Sequence, residues 1–342
     1  MKRITVEEHF STTEYLDHLR LLLTEKYPVR EIVEAEPQLH AEVRWLGESR
    51  YSTPKSSALA GKIADVGEQR IRDMDEDGID MQVLSLISPG VQVFDAPTAT
   101  ALARKANDEL YQVTRKYPKR FAGLAAIAPQ DPPKAADELE RAVRDLGLKG
   151  ASINSHTRGE YLDDRKYWVI FERAERLDVP IYIHPRIPSP DMSKPFLTYP
   201  PLATAMAGFA AEVSLHALRL ILSGLFDEHP GVKIILGHLG EGLPFWLWRL
   251  DNRFVKMPQG LNIKKKPSQY VKDNFFITTA GNFSVPSFFC AYMQLGIDRI
   301  LFAVDYPLES NQEAVQFMET LPIAESEKEK VCHLNAERLF KL

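Results

Sequence analysis

Cysteine is scarce: Cys290 and Cys332 are the only two in 342 residues. Two thiols so placed, neither in a Cys-x-x-Cys pair, exclude a disulfide framework and a thiolate-built structural zinc site. A reducing compartment, the cytoplasm, is the expectation. No uninterrupted apolar run approaches the length of a bilayer crossing, so no membrane partner is expected. Met1-Lys2-Arg3 leads directly into the first apolar stretch, which leaves no room for a signal peptide. Positive charge is not in excess either. A net charge of -5 argues against a broad nucleic-acid surface, and nucleic acid is not an expected partner. Low-complexity tracts are missing. So is a glycine-rich turn after the first strand, where Glu-His-Phe-Ser-Thr-Thr (8–13) stands instead; an open dinucleotide-binding sheet would want one.

What is present is apolar material, 44% of the chain, in short runs separated by helical patterns. The runs are Ile4–Phe10, Met81–Ile87, Phe121–Ala128, Leu148–Asn154, Val179–His184, Val232–His238, Phe275–Ala280 and Arg299–Asp305. Most are continuous rather than alternating, as parallel strands buried on both faces require. Between them the spacing predicts helices over 63–77 (stopped by Gly78), 98–117, 132–146, 166–177, 203–228, 241–254 and 285–295, with further helices to the C-terminus. Eight strand–helix units predict an α/β fold, a (β/α)8 barrel, as one domain over 1–342. Residues 11–62 fit no unit and read as an insertion over one end of the barrel, with a helix over 15–23 and a loop over 45–54.

Chemistry-bearing residues gather at strand ends, where barrel enzymes place their sites. The first strand carries Glu7 and His9, which alternation sends to one face. The fifth ends at His184, the sixth at His238 within Leu-Gly-His-Leu-Gly-Glu, and the eighth at Asp305. One such histidine is ordinarily a hydrogen-bonded structural residue. Four such strand ends at one mouth point to a shared divalent metal. Imidazole and carboxylate ligands suit zinc, manganese or iron. Glu7, His9, His184 and Asp305 would leave positions open for substrate or water.

This pattern, Glu-x-His on strand one with His, His and Asp ending strands five, six and eight, resembles the amidohydrolase superfamily. Within it the chain is similar to the decarboxylases of hydroxylated benzoates, the γ-resorcylate, 2,3-dihydroxybenzoate and 5-carboxyvanillate group. The likeness is carried by Val-Glu-Glu-His-Phe (6–10), Ala-Pro-Gln-Asp-Pro (128–132), Ile-Asn-Ser-His-Thr (153–157), Tyr-Ile-His-Pro-Arg (182–186), Gly-Leu-Phe-Asp-Glu-His-Pro (224–230), Gly-His-Leu-Gly-Glu-Gly-Leu-Pro (237–244) and Asn-Ala-Glu-Arg-Leu-Phe-Lys-Leu (335–342). It departs from many superfamily hydrolases in having Glu7 where they have histidine. It also lacks a bridging lysine ending strand four, since Lys149 lies near that strand's start; this predicts one metal ion, Mn2+ or Zn2+ with Mn2+ preferred. Some members of the group have alanine where His9 stands.

The resemblance implies a small aromatic carboxylate substrate and a homodimer or homotetramer. It makes Asp305 the proton donor, which calls for a raised pKa, and His238, oriented by Glu241, its partner. Arg249 is the candidate for the substrate carboxylate; Arg186 and His156 are weaker candidates for substrate contact. Lys55 is either a second anchor or a solvated lysine. Trp246 and Trp248 read as core or interface. Two other functions compete: a metal-dependent hydrolase of a lactone or amide using the same ligands, and a non-catalytic binding protein on a barrel.

Overall fold

A computed structural model describes residues 1–22 and 54–342. Nine strand segments run in chain order: β1 (Ile4–Phe10), β2 (Met81–Leu86), β3 (Phe121–Gly123), β4 (Ala125–Ala126), β5 (Ala151–Asn154), β6 (Ile181–His184), β7 (Ile234–Leu236), β8 (Phe275–Thr278) and β9 (Ile300–Leu301). Every pairing is parallel and between sequence neighbours. β3 and β4 are halves of one barrel strand parted at Leu124, whose N–H still reaches the Leu84 carbonyl at 2.8 Å. At the remaining seam the Val6 N–H donates to the Phe302 carbonyl at 3.0 Å, and the His9 N–H to the Tyr306 carbonyl at 2.8 Å. The sheet therefore closes into the expected eight-stranded barrel.

Continuous apolar runs make two cores from one set of strands. Ile4, Val6, Val83, Tyr182, Ile235, Phe276 and Leu301 fill the lumen. Their chain neighbours Leu84, Ile181, Ile183, Ile234, Leu236, Phe275, Ile277 and Ile300 pack outward against the helices. The C-terminal helix Asn335–Phe340 plugs the N-terminal end of the barrel with Ala336, Leu339 and Phe340. The opposite end, where the strands' C-termini converge, is left as the mouth.

Several boundaries differ from the sequence reading, each for a local reason. The helix expected over 63–77 is two, Pro54–Ala64 and Glu68–Asp77. The Asp65 carboxylate accepts the N–H groups of Gly67 and Arg70, at 2.8 and 2.9 Å, and starts a new helix there. Gly78 ends it at φ 69°, as expected. The helix expected over 203–228 shortens to Gly208–Leu222, because Gly224 turns the chain at φ 87° before Leu225–Glu228. The stretch Pro200–Leu222 is long and apolar enough to cross a membrane by composition. Here it lies on the barrel, with Val213, Ala217, Leu220 and Ile221 buried. A helix the pattern did not announce, Pro267–Asn274, buries Tyr270, Val271 and Asn274. The last strand keeps only Ile300–Leu301 in the ladder. The helix begun at Thr13 ends at Leu22, and the loop expected over 45–54 lies almost wholly outside the described residues, as does the Lys55 side chain.

If the C-terminal plug is a packed part of the lumen core, Leu339→Ala will cost about 2–5 kcal/mol. Urea unfolding checks this, and metal binding at the opposite end should be unchanged.

Candidate metal centre

The site begins with an irregularity in β1. The ladder to β2 pairs Val6 with Val83 but Glu8 with Leu84, so Glu7 is an extra residue, at φ 96°. The bulge lets Val6 and Glu7 both face inward. After it the alternation resumes: His9 turns to the mouth, and Glu8 and Phe10 face the helices. Glu7 and His9 thus share a face, as alternation implied, and the bulge makes it the inward face that Val6 also takes.

Distant segments meet there. His184 Nε2 is 3.5 Å and His238 Nε2 3.7 Å from Glu7 Oε1. His9 Nε2 lies 2.9 Å from Asp305 Oδ1, and His238 Nε2 is 3.7 Å from Asp305 Oδ2. Ligand atoms of Glu7, His9 and His184 all lie within 4.8 Å of one another. Glu7 Oε1 is buried without a hydrogen-bond partner, and the buried His9 Nε2 and Asp305 Oδ1 have only each other. Native interiors rarely leave such atoms unpaired. Two imidazole nitrogens and two carboxylate oxygens facing one another in this way fit a divalent cation, so the residues present suit the metal.

Neighbours fix each ligand. His184 Nδ1 donates to Asn154 Oδ1 at 3.0 Å, which points Nε2 into the cluster. Thr278 Oγ1 donates to Glu7 Oε2 at 2.7 Å. Glu241 Oε1 accepts from His238 Nδ1 at 2.6 Å. Gly237 leaves the room: a Cβ there would come within 2.7 and 2.9 Å of the Glu7 carboxylate oxygens and 2.9 Å of the Tyr182 hydroxyl.

Burial and proximity set the charges. Burial pushes the Glu7 carboxyl up to about 7, against the opposing pull of His238. Burial, with His9 and His238 nearby, holds His184 well below its usual value, so it is neutral and ready to ligate. Burial works against charge on His238, but Glu241 and Glu7 outweigh it and keep that imidazole protonated. Asp305 departs from expectation. Burial favours its neutral form, yet His238 and His9 overcome burial and hold the carboxyl below the usual range. The raised pKa expected of Asp305 is therefore not found.

The residues expected to touch substrate fare differently. Arg249 is exposed on the helix Leu243–Lys256 and makes no ion pair with the cluster. His156 is buried, but Nδ1 accepts the Gly159 N–H at 3.0 Å and Nε2 donates to the Ile187 carbonyl at 3.0 Å. Both ring nitrogens are thus engaged with backbone groups. Arg186 is buried, with Nη1 3.4 Å from the His156 carbonyl. Lys149 donates to the Lys341 carbonyl at 3.2 Å, at the barrel's other end, as its early position implied. Trp246 and Trp248 are exposed rather than core. Sequence reasoning passed over Asn154 and Thr278. Asn154 pairs with His184 in register, and a polar residue ending the strand beside a ligand was the available signal.

A closed parallel barrel with an imidazole–carboxylate cluster at its mouth is the build of a metal-dependent barrel enzyme. The amidohydrolase family model matches residues 43–342, and the chain belongs to the amidohydrolase family. Within it the chain falls in the hydroxybenzoate decarboxylase group. It is 41% identical over 293 residues to gamma-resorcylate decarboxylase of Polaromonas sp., covering 83% of this chain and 90% of that protein. The crystal structure of 5-carboxyvanillate decarboxylase from Sphingomonas paucimobilis matches with TM-score 0.91 and 40% identity, over 100% of this chain and 99% of that one. The 5-carboxyvanillate decarboxylase of Novosphingobium aromaticivorans, complexed with manganese and 4-hydroxy-3-methoxy-5-nitrobenzoic acid, matches with TM-score 0.91 and 36% identity, over 100% and 96%.

Two measurements probe this architecture. Gly237→Ala should keep the fold and lower manganese affinity by about 10–100-fold, read by titration, because the added methyl displaces Glu7. His216 tests the packing behind β5: it accepts the Leu162 N–H at 3.1 Å, and burial lowers its pKa to about 3. The stability it contributes is complete above its unfolded value near 6.5 and is lost as pH falls from there towards 3. His216→Gln should flatten the pH dependence of urea unfolding in that window by up to about 1.4 kcal/mol per pH unit.

Proposed function

We propose that the protein is a non-oxidative decarboxylase of an ortho- or para-hydroxylated benzoate, working with one divalent metal ion held by Glu7, His9, His184 and Asp305. The observation that carries the reading is the convergence of these side chains from β1, β6 and the segment after β9, with their imidazole nitrogens and carboxylate oxygens facing one another. Mn2+ is favoured over Zn2+, supported by the manganese in the Novosphingobium relative and by the two carboxylate donors. When bound, the metal would act as Lewis acid and template for the substrate's phenolate and carboxylate.

Direct loss of CO2 from an aryl carboxylate would strand a carbanion in the ring plane, where the π system cannot stabilise it. Protonating the ring carbon first avoids this. That carbon gains a C–H bond using ring electrons pushed by the ionised hydroxyl. The bond to the carboxylate then breaks, its electron pair restores the aromatic ring, and CO2 leaves. Asp305 is assigned the delivery of the proton. His238 Nε2, charged and facing Asp305 Oδ2, supplies it, while Glu241 holds Nδ1 and keeps the imidazole aimed. The lumen side chains beneath keep water from the reacting carbon. Phe245 and Trp248, exposed on the helix that carries Arg249, support self-association as a homodimer or homotetramer.

Incubation with 2,6-dihydroxybenzoate and 5-carboxyvanillate in D2O is the test. Release of CO2, with one deuterium at the vacated carbon, is expected from at least one of them. Hydrolysis of a lactone panel without CO2 release would overturn the reading. Asp305→Asn should lower kcat by about 10²–10⁴-fold while retaining part of the metal. A chelator should abolish turnover, and added Mn2+ restore it.

A further inference from the structure

We propose that Glu8 is a positioning residue that sets the backbone of Asp305, so that one glutamate outside the ligand cluster ties the ligands of β1 to the ligand beyond β9. This rests on reading the cluster as a metal centre.

Glu8 is completely buried and faces away from the cluster, between Glu7 and His9 in sequence. Its Oε1 accepts the Val304 N–H at 3.0 Å and its Oε2 accepts the Tyr306 N–H at 2.9 Å. These are the two amides flanking Asp305, where the chain bends through φ 79°. The seam explains why a side chain does this work. β9 leaves its ladder at Leu301, and no ladder joins it to β1. The bulge at Glu7 shifts the register there. The backbone bonds that cross, from Val6 to Phe302 and from His9 to Tyr306, serve neither flanking amide. Buried N–H groups need acceptors, and the Glu8 carboxylate supplies both.

The arrangement is specific to a carboxylate of this length. Glutamine offers one acceptor, and turns its NH2 group toward the other amide. Aspartate keeps the carboxyl group but is one methylene shorter and reaches at most one of the two. With either, Asp305 loses half of what fixes its strained backbone, and its Oδ1 no longer holds its place beside His9 Nε2.

The experiment compares wild type, Glu8→Gln and Glu8→Asp as full chains, by manganese titration, steady-state kinetics and thermal unfolding. Both variants are expected to lower manganese affinity by about 10–100-fold. Glu8→Asp keeps the carboxyl group and changes only its reach. In manganese-saturated enzyme kcat should fall while KM stays within about 2-fold. Wild-type manganese affinity and kcat in either folded variant, with only a lowered unfolding midpoint, would overturn the proposal and leave Glu8 as seam packing. Manganese titration needs no substrate, so failure of the wild type to decarboxylate hydroxybenzoates bears on the proposed function alone.

Discussion

The structure is organised by a mutual neutralisation. Glu7 and Asp305 are buried with His9 and His184, beside the partly buried His238, at one end of the barrel, and no one of them is stable there alone. Moving an isolated charge out of water is prohibitive, so such groups survive burial only by pairing, by shifting their protonation or by binding a metal. All three signs are visible. His9 and Asp305 pair, Glu7 is pushed up to about 7 by burial, and Glu7 Oε1 is left without a hydrogen-bond partner. A dication among them would act on both carboxylates in one direction, favouring their ionised forms.

Holding the cluster costs backbone strain, and that strain is concentrated. Glu7, Ser155, His238, Leu239, Glu241 and Asp305 all have positive φ, and all lie at or beside the strand ends that form the mouth. Each such residue costs on the order of 1–3 kcal/mol, tolerable only where surrounding structure over-determines it. The lumen core, the plug of Leu339 and Phe340, and the hydrogen bonds of Asn154, Thr278 and Glu8 supply that determination. The rigid part of the barrel and its reactive end are thus one construction.

Barrel class, strand order and the five ligand-type residues were legible in the sequence because each has a local signature: a continuous apolar run that ends in a polar residue. Less legible were features set by partners far along the chain. The proton balance of Asp305 depends on His9 and His238, which sit 296 and 67 residues away in sequence. His156 is engaged by the Ile187 carbonyl, which arrives from the next strand's loop and has no trace in the local sequence. Where the Arg249 side chain stands is set by the orientation of its helix, which the motif does not contain, and here it is exposed.

Alone, the sequence determined that eight buried parallel strands would form and that acids and imidazoles would stand at their C-terminal ends, since burial periodicity and strand-end polarity are properties of a few consecutive residues. Tertiary structure decided which of those groups touch, which are charged, and which backbone must strain to let them meet. Those depend on the closure of the barrel, which brings residue 9 against residue 305 through contacts that no local window contains.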